Sequence, residues 1–200
     1  MKILKQLNYS FYMSLTKTQR DEIYNFAYNH IKKLDQTHGI EHLKRTVKFA
    51  CYLAKKENAD QLVVRLGAVL HQLHDPEKVE RFLKQIEVEE NLIKQIIHCV
   101  YCSDRNNIHE AKTIEAKVVY DADKLQVIGP FGIMREISYC KAPPRNWSFR
   151  ESLEYSRAAE EKYFKTLQTK TARKMAKQSH EYLSRFWRIL DKWDKADFKA

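Results

Sequence analysis

Four histidines and three aspartates of this 200-residue chain fall into groups whose spacing suits a metal site. His38 and His42 are four residues apart, so one helix or its entry turn would carry both on the same side. His71, His74 and Asp75 are grouped likewise at i, i+3 and i+4. Asp121 and Asp123 stand roughly 200° apart around a helix, so one of the two can face a given pocket. A single histidine in an apolar helix is more often a hydrogen-bonded core residue than a ligand. Here His42 and His71 lie in separate apolar stretches and Asp123 in a third, the pattern of a buried divalent-metal site in a helical protein. The residue after His71, where a second carboxylate would be wanted, is Gln72.

The elements that must position these groups are helical. Apolar spacing predicts a helix over 17–34, with Thr16 as N-cap and Gln19 three residues on, and a second over 40–56 after Gly39. A third, over 60–74, is apolar on most sides and therefore buried, so its polar residues need partners. Asp75-Pro76 ends it, because the residue before proline avoids the α region and proline suits the first position of the next helix. Asp75 there also suits a simple N-cap. Helices over 76–86, 88–102 and 112–127 follow, with a polar loop at 103–107. A break at 129–132 leads into 133–140, and two long amphipathic helices, 149–168 and 170–194, close the chain. The fold class expected is all-α: one helical domain over 1–200, its core at about 17–140 and its closing helices at about 149–194.

Composition agrees. Four Gly and four Pro leave few positions for the turns of an all-β fold, and 44% hydrophobic residues exclude a disordered chain. No apolar run reaches the roughly 20 residues that span a bilayer. The segment 1–7 lacks the apolar core of a secretory signal. Cys51, Cys99, Cys102 and Cys140 show no disulfide framework, so the reading is a cytoplasmic protein without a membrane partner. Cys99 and Cys102 form a lone CxxC, with no second pair to complete a zinc site. The net charge of +10 favours anionic partners such as nucleotides, phosphate esters or nucleic acid. Nucleic acid is set aside, because no binding motif accompanies Trp147, Trp187 and Trp193, and such residues usually pack helices. A homo-oligomer is compatible with the sequence.

Three ordered motifs resemble the HD-domain superfamily of metal-dependent phosphohydrolases, and the likeness spans nearly the whole chain. His38-Gly39-Ile40-Glu41-His42-Leu43-Lys44-Arg45-Thr46-Val47 is similar to its opening segment. Val69-Leu70-His71-Gln72-Leu73-His74-Asp75 matches the second, which in the family reads Leu-Leu-His-Asp-x-x-Asp. Asp121-Ala122-Asp123-Lys124-Leu125-Gln126, continuing through Gly129 and Gly132 to Arg135, matches the third. The resemblance implies His42, His71 and Asp123 as metal ligands, with position 72 as the fourth, where the family's Asp is Gln. Gln126 likewise replaces an acid usual in this branch. His98 falls where related enzymes place a histidine that meets phosphate or a second metal. Asp75 would position or deprotonate water, and His38, Arg45, Lys78, Lys124 and Arg135 would surround phosphate. The implied cofactor is a divalent ion (Mn, Fe, Mg, Ni or Zn), held weakly or not at all because an amide is a poorer ligand than a carboxylate. A shifted reading makes His74-Asp75 the ligand pair. The implied activity is hydrolysis of a nucleotide or other small phosphate ester. The alternative is an impaired member that binds a phosphorylated ligand as sensor or scaffold.

Overall fold

The computed structural model describes residues 15–196. Every regular element among them is helical: α1 (Lys17–Ile31), α2 (Ile40–Glu57), α3 (Gln61–Leu70), α4 (Pro76–Gln85), α5 (Glu90–Cys102), α6 (Ile114–Lys124), α7 (Pro130–Lys141), α8 (Phe149–Thr166) and α9 (Lys170–Asp194). The Thr16–Gln19 capping box opens α1 as the sequence suggests. None of these helices is long and apolar enough to cross a membrane.

The hydrophobic run that becomes α3 places this helix at the centre. It packs against α2, α5 and α6, with α6 also packing on both α2 and α5, while α4 lies along α5. Gly67 permits the closest approach. A Cβ there would stand 2.7 Å from Cys99 Cβ on α5 and 3.1 Å from Val119 Cγ2 on α6. The closing helices form a second layer, with α7 against α8, α8 against α9, and α9 returning to α2. They share a small apolar cluster of Ile133, Leu183 and Trp187. Asp121 ties the layers together: its carboxylate accepts the backbone N–H groups of Gln168 and Thr169 at 2.8 and 2.7 Å, between α8 and α9.

Three boundaries differ from the periodicity in ways that matter for chemistry. The helix expected to run to residue 74 ends at Leu70 and tightens into a 3₁₀ turn, His71–Leu73. His74 then takes a left-handed conformation (φ 49°) and Asp75 a non-helical one. Pro76 is the reason, since it forbids a helical approach and the chain unwinds ahead of it. Likewise α6 stops at Lys124, three residues short of expectation, and α7 begins at Pro130 rather than 133. Gly132 sits in the first turn of α7, where a Cβ would lie 1.9 Å from the Val127 carbonyl oxygen. The turn at 125–128 is thereby pressed between two helices and buried.

Gly67→Ala should overpack the junction of α3, α5 and α6. A loss of about 1–3 kcal/mol is expected in urea denaturation followed by circular dichroism.

Candidate metal centre

The ends of α3 and α6 and the first turn of α2 meet at one cavity. One ligand atom each from His42, His71 and Asp123 lies within 4.8 Å of the others, and all three residues are buried. Asp123 Oδ1 is 3.2 Å from His42 Nε2 and 3.9 Å from His71 Nε2. These are close approaches rather than hydrogen bonds. Neither Nε2 atom has a hydrogen-bond partner among the described residues, and neither does Gln72 Oε1. The cavity holds about 200 Å³, and His38, Gln72, Lys124, Arg135, Glu136 and three tyrosines complete much of its wall.

The opposite edge of each imidazole is committed. His71 Nδ1 is 2.7 Å from the Ala68 carbonyl oxygen, one turn back along α3. A carbonyl can only accept, so Nδ1 carries the proton and the Nε2 lone pair faces the cavity. His42 Nδ1 is 3.1 Å from Gln126 Oε1. The amide's NH₂ donates to Thr46 Oγ1 at 2.6 Å, and its oxygen also accepts from Arg45 Nε at 3.1 Å. That network orients the amide, so His42 too presents an Nε2 lone pair. Burial keeps both rings neutral: it lowers the His71 pKa to about 3 and lowers that of His42 against the pull of Asp123. Burial alone would raise the Asp123 carboxyl, but the Lys124 ammonium, with Nζ 2.6 Å from Oδ2, holds it well below the usual carboxylate range. Two neutral imidazoles with free lone pairs and an ionised carboxylate fit a divalent cation, and the group could bind one. Gln72 offers a neutral amide oxygen to the same space.

The other residues expected at the site divide sharply. His38, Lys124 and Arg135 line the cavity. Arg135 is partly committed, since its Nε donates to the Thr37 carbonyl at 2.9 Å. Arg45 stands behind His42, against Gln126 and over the Phe131 ring at 4.0 Å. Asp75 does not reach the cavity: it is exposed, and Oδ1 accepts the Lys78 N–H at 2.9 Å as the N-cap of α4. Lys78 is exposed on that helix, its ammonium 5.9 Å from the Phe26 ring. His98 faces a separate depression with Glu80, Ile97 and Tyr101, and its Nε2 accepts the Lys112 N–H at 3.1 Å. The unwinding before Pro76 turns Asp75 away, and the helical phase of α5 turns His98 away. The Cys99 and Cys102 thiols are buried in α5, where burial drives Cys99 far above the ordinary thiol range and Cys102 up to about 11, which disfavours the thiolate at both.

Sequence reasoning missed Glu136, Tyr139, Tyr155 and Tyr163, which α7 and α8 bring over the cavity. Glu136 and Tyr139 sit three apart, and Tyr155 and Tyr163 eight apart, so each pair shares a helix face. That spacing was readable, but which face turns inward was not. The rim is aromatic and cationic: Tyr139 and Tyr155 stack at 6.1 Å, and the Arg145 guanidinium lies 3.5 Å from the Tyr139 ring centre.

No family model matches the chain. It is 28% identical to the uncharacterized protein YpgQ of Bacillus subtilis in an alignment 192 positions long that covers 87% of this chain and 93% of YpgQ. A crystal structure of YpgQ superposes with a TM-score of 0.73 at 26% identity, covering 88% of this chain and 95% of that one. A YpgQ structure in complex with ADP gives 0.71 at 24% identity, covering 88% and 94%. An HD-superfamily hydrolase from Bacillus thuringiensis gives 0.70 at 25% identity, covering 91% and 100%. With the ordered histidine and aspartate motifs, this likeness supports the resemblance of the chain to the HD-domain superfamily.

Gln126→Leu removes the acceptor for His42 Nδ1–H while keeping the volume. Mn²⁺ affinity in isothermal titration calorimetry should fall roughly 10- to 100-fold, the usual effect of losing a group that orients a ligand imidazole.

Proposed function

We propose that this protein is a metal-dependent phosphohydrolase acting on a nucleotide or other small phosphate ester. His42, His71 and Asp123 hold the divalent ion, and Gln72 lends its amide oxygen. The observation that carries this reading is the pair of buried, unpartnered Nε2 atoms set around Asp123 Oδ1. Leaving such atoms without a partner costs about 1–3 kcal/mol each, a burden expected where a cation satisfies them. When bound, a divalent ion polarises a phosphoryl oxygen and lowers the pKa of water near it.

The chain's own residues account for the rest. Lys124 keeps Asp123 ionised and leaves Oδ1 free. Arg135 lines the wall and offers N–H groups to phosphate oxygens, and His38 stands beside it with Nδ1 held by Asp35. A cavity of about 200 Å³ suits the phosphate end of a ligand, leaving any base to the rim of Tyr139, Tyr155 and Arg145, where a planar ring can stack. The ADP bound by YpgQ and the name of the Bacillus thuringiensis hydrolase support this assignment of ligand and reaction.

A second reading, ligand binding without turnover, is favoured by Gln72, which removes one negative charge from the family's ligand set. Metal analysis after loading with Mn²⁺, followed by a panel of nucleoside mono-, di- and triphosphates with Mn²⁺, Mg²⁺, Co²⁺ and Ni²⁺, separates the two. The expected result is one bound ion and phosphate release. Stoichiometric metal with no turnover of any ester would leave the second reading. His71→Ala should abolish metal uptake, whereas His98→Ala should leave it unchanged. Gln72→Asp should increase metal occupancy and phosphate release. An occupancy equal to the parent's would remove position 72 from the ligand set.

A further inference from the structure

Besides Asp123, one more carboxylate lines the cavity among the described residues: Glu136, on the second turn of α7 and only 8% exposed. Its pairing is loose. Arg135 Nη1 is 3.9 Å from Oε1, and the neighbouring guanidinium is already spent on the Thr37 carbonyl through Nε. A buried acid with so weak a partner is costly in an all-helical core, and it is retained where its charge has another use. Its surroundings say which use. Burial raises its carboxyl above the usual carboxylate value, with Asp123 pushing the same way and Arg135 and Lys124 pulling against it, so Glu136 shares one electrostatic compartment with the candidate ligands.

The fixed charges of the cavity complete the argument. Lys124 and Arg135 are cations, Asp123 is an anion, and the imidazoles are neutral. Without Glu136 the wall would carry net positive charge, which opposes entry of a divalent cation. Gln72 cannot correct this, because its amide oxygen is neutral although buried and unpartnered. Glu136 brings the wall to neutrality from the opposite layer of the fold.

We propose that Glu136 is the second carboxylate of the metal centre, supplying from α7 the negative charge that Gln72 does not supply from the end of α3. This rests on the metal-binding reading above. Glu136 acts at the outer edge of the site, on the charge and on the water that the cation brings, and it stands in for an acid at position 72. The two positions should therefore be interchangeable in charge: an acid at either supports binding, and an acid at neither does not.

The test is calorimetric titration of Mn²⁺ into apo-protein for four forms: parent, E136Q, Q72D and the double variant Q72D/E136Q. Circular dichroism melting checks each fold. Glu136→Gln keeps shape and removes charge, and Glu136→Asp serves as a second variant that keeps the charge should E136Q melt early. The expected result is a loss of roughly 10- to 100-fold in Mn²⁺ affinity for E136Q, with affinity restored to near the parent's in the double variant. Near-parent affinity in E136Q overturns the proposal while leaving metal binding by His42, His71 and Asp123 intact. A loss that Q72D fails to restore also overturns it, because charge compensation is then not the role. A parent that takes up no Mn²⁺ overturns the metal reading itself, and this inference with it.

Discussion

Two neutral imidazoles buried with their Nε2 lone pairs unsatisfied, on either side of a carboxylate oxygen, set the terms for this fold. Such an arrangement survives only if the other edge of each ring is held. Each one is. His71 spends its Nδ1 proton on its own helix, at the Ala68 carbonyl, and His42 spends its proton on Gln126. The His30 ring, from α1, meets the Gln72 backbone carbonyl at 3.1 Å and pins the turn that follows α3. The helices that carry these groups are packed tightly, with no room for even a methyl group at Gly67 where α3 meets α5 and α6.

The charge balance is unusual for a divalent-ion site. Asp123 already has a cation on one oxygen, Lys124 at 2.6 Å, and the adjacent Gln72 is neutral. The pair is buried, so its strength rests on good geometry and on the further contacts of Lys124 with the Tyr120 and Tyr163 rings at 5.2 and 5.3 Å. Lys124 leaves Oδ1 available while fixing the rotamer through Oδ2. Gln126 uses both ends of its amide. Its oxygen still accepts from His42, and its NH₂ gains the Thr46 hydroxyl as a partner.

The outer layer converts a ligand cluster into a cavity. Helices α7 and α8 contribute Arg135, Glu136, Tyr139, Tyr155 and Tyr163, and they are anchored to the inner layer at the turn before α2. Arg135 reaches the Thr37 carbonyl, and Arg145 reaches Asp35 at 3.4 Å. Asp35 in turn holds the Thr37 and His38 amides, so His38 is positioned by the same residues that seat the outer helices. Any ligand contact at the rim is thus coupled to the first histidine motif through a few side chains.

The order of the chain's chemistry was legible in its letters. Helical periodicity, the Thr16 capping box, proline after Asp75 and three spaced motifs were enough to call an all-α fold and to select His42, His71 and Asp123, because spacing along a helix determines which side chains share a face. Asp75, Lys78 and His98 looked equally suitable and lie elsewhere, and Glu136 and the tyrosines were not singled out. Those outcomes depend on how far α3 unwinds before Pro76, on the phase of α5, and on which side of α7 meets α2. Such rotations follow from long-range packing among helices distant in sequence, and they carry no local signature. The residue types that could bind a cation were therefore written in the sequence, whereas the charge they would feel was decided only when two layers of helices closed over one another.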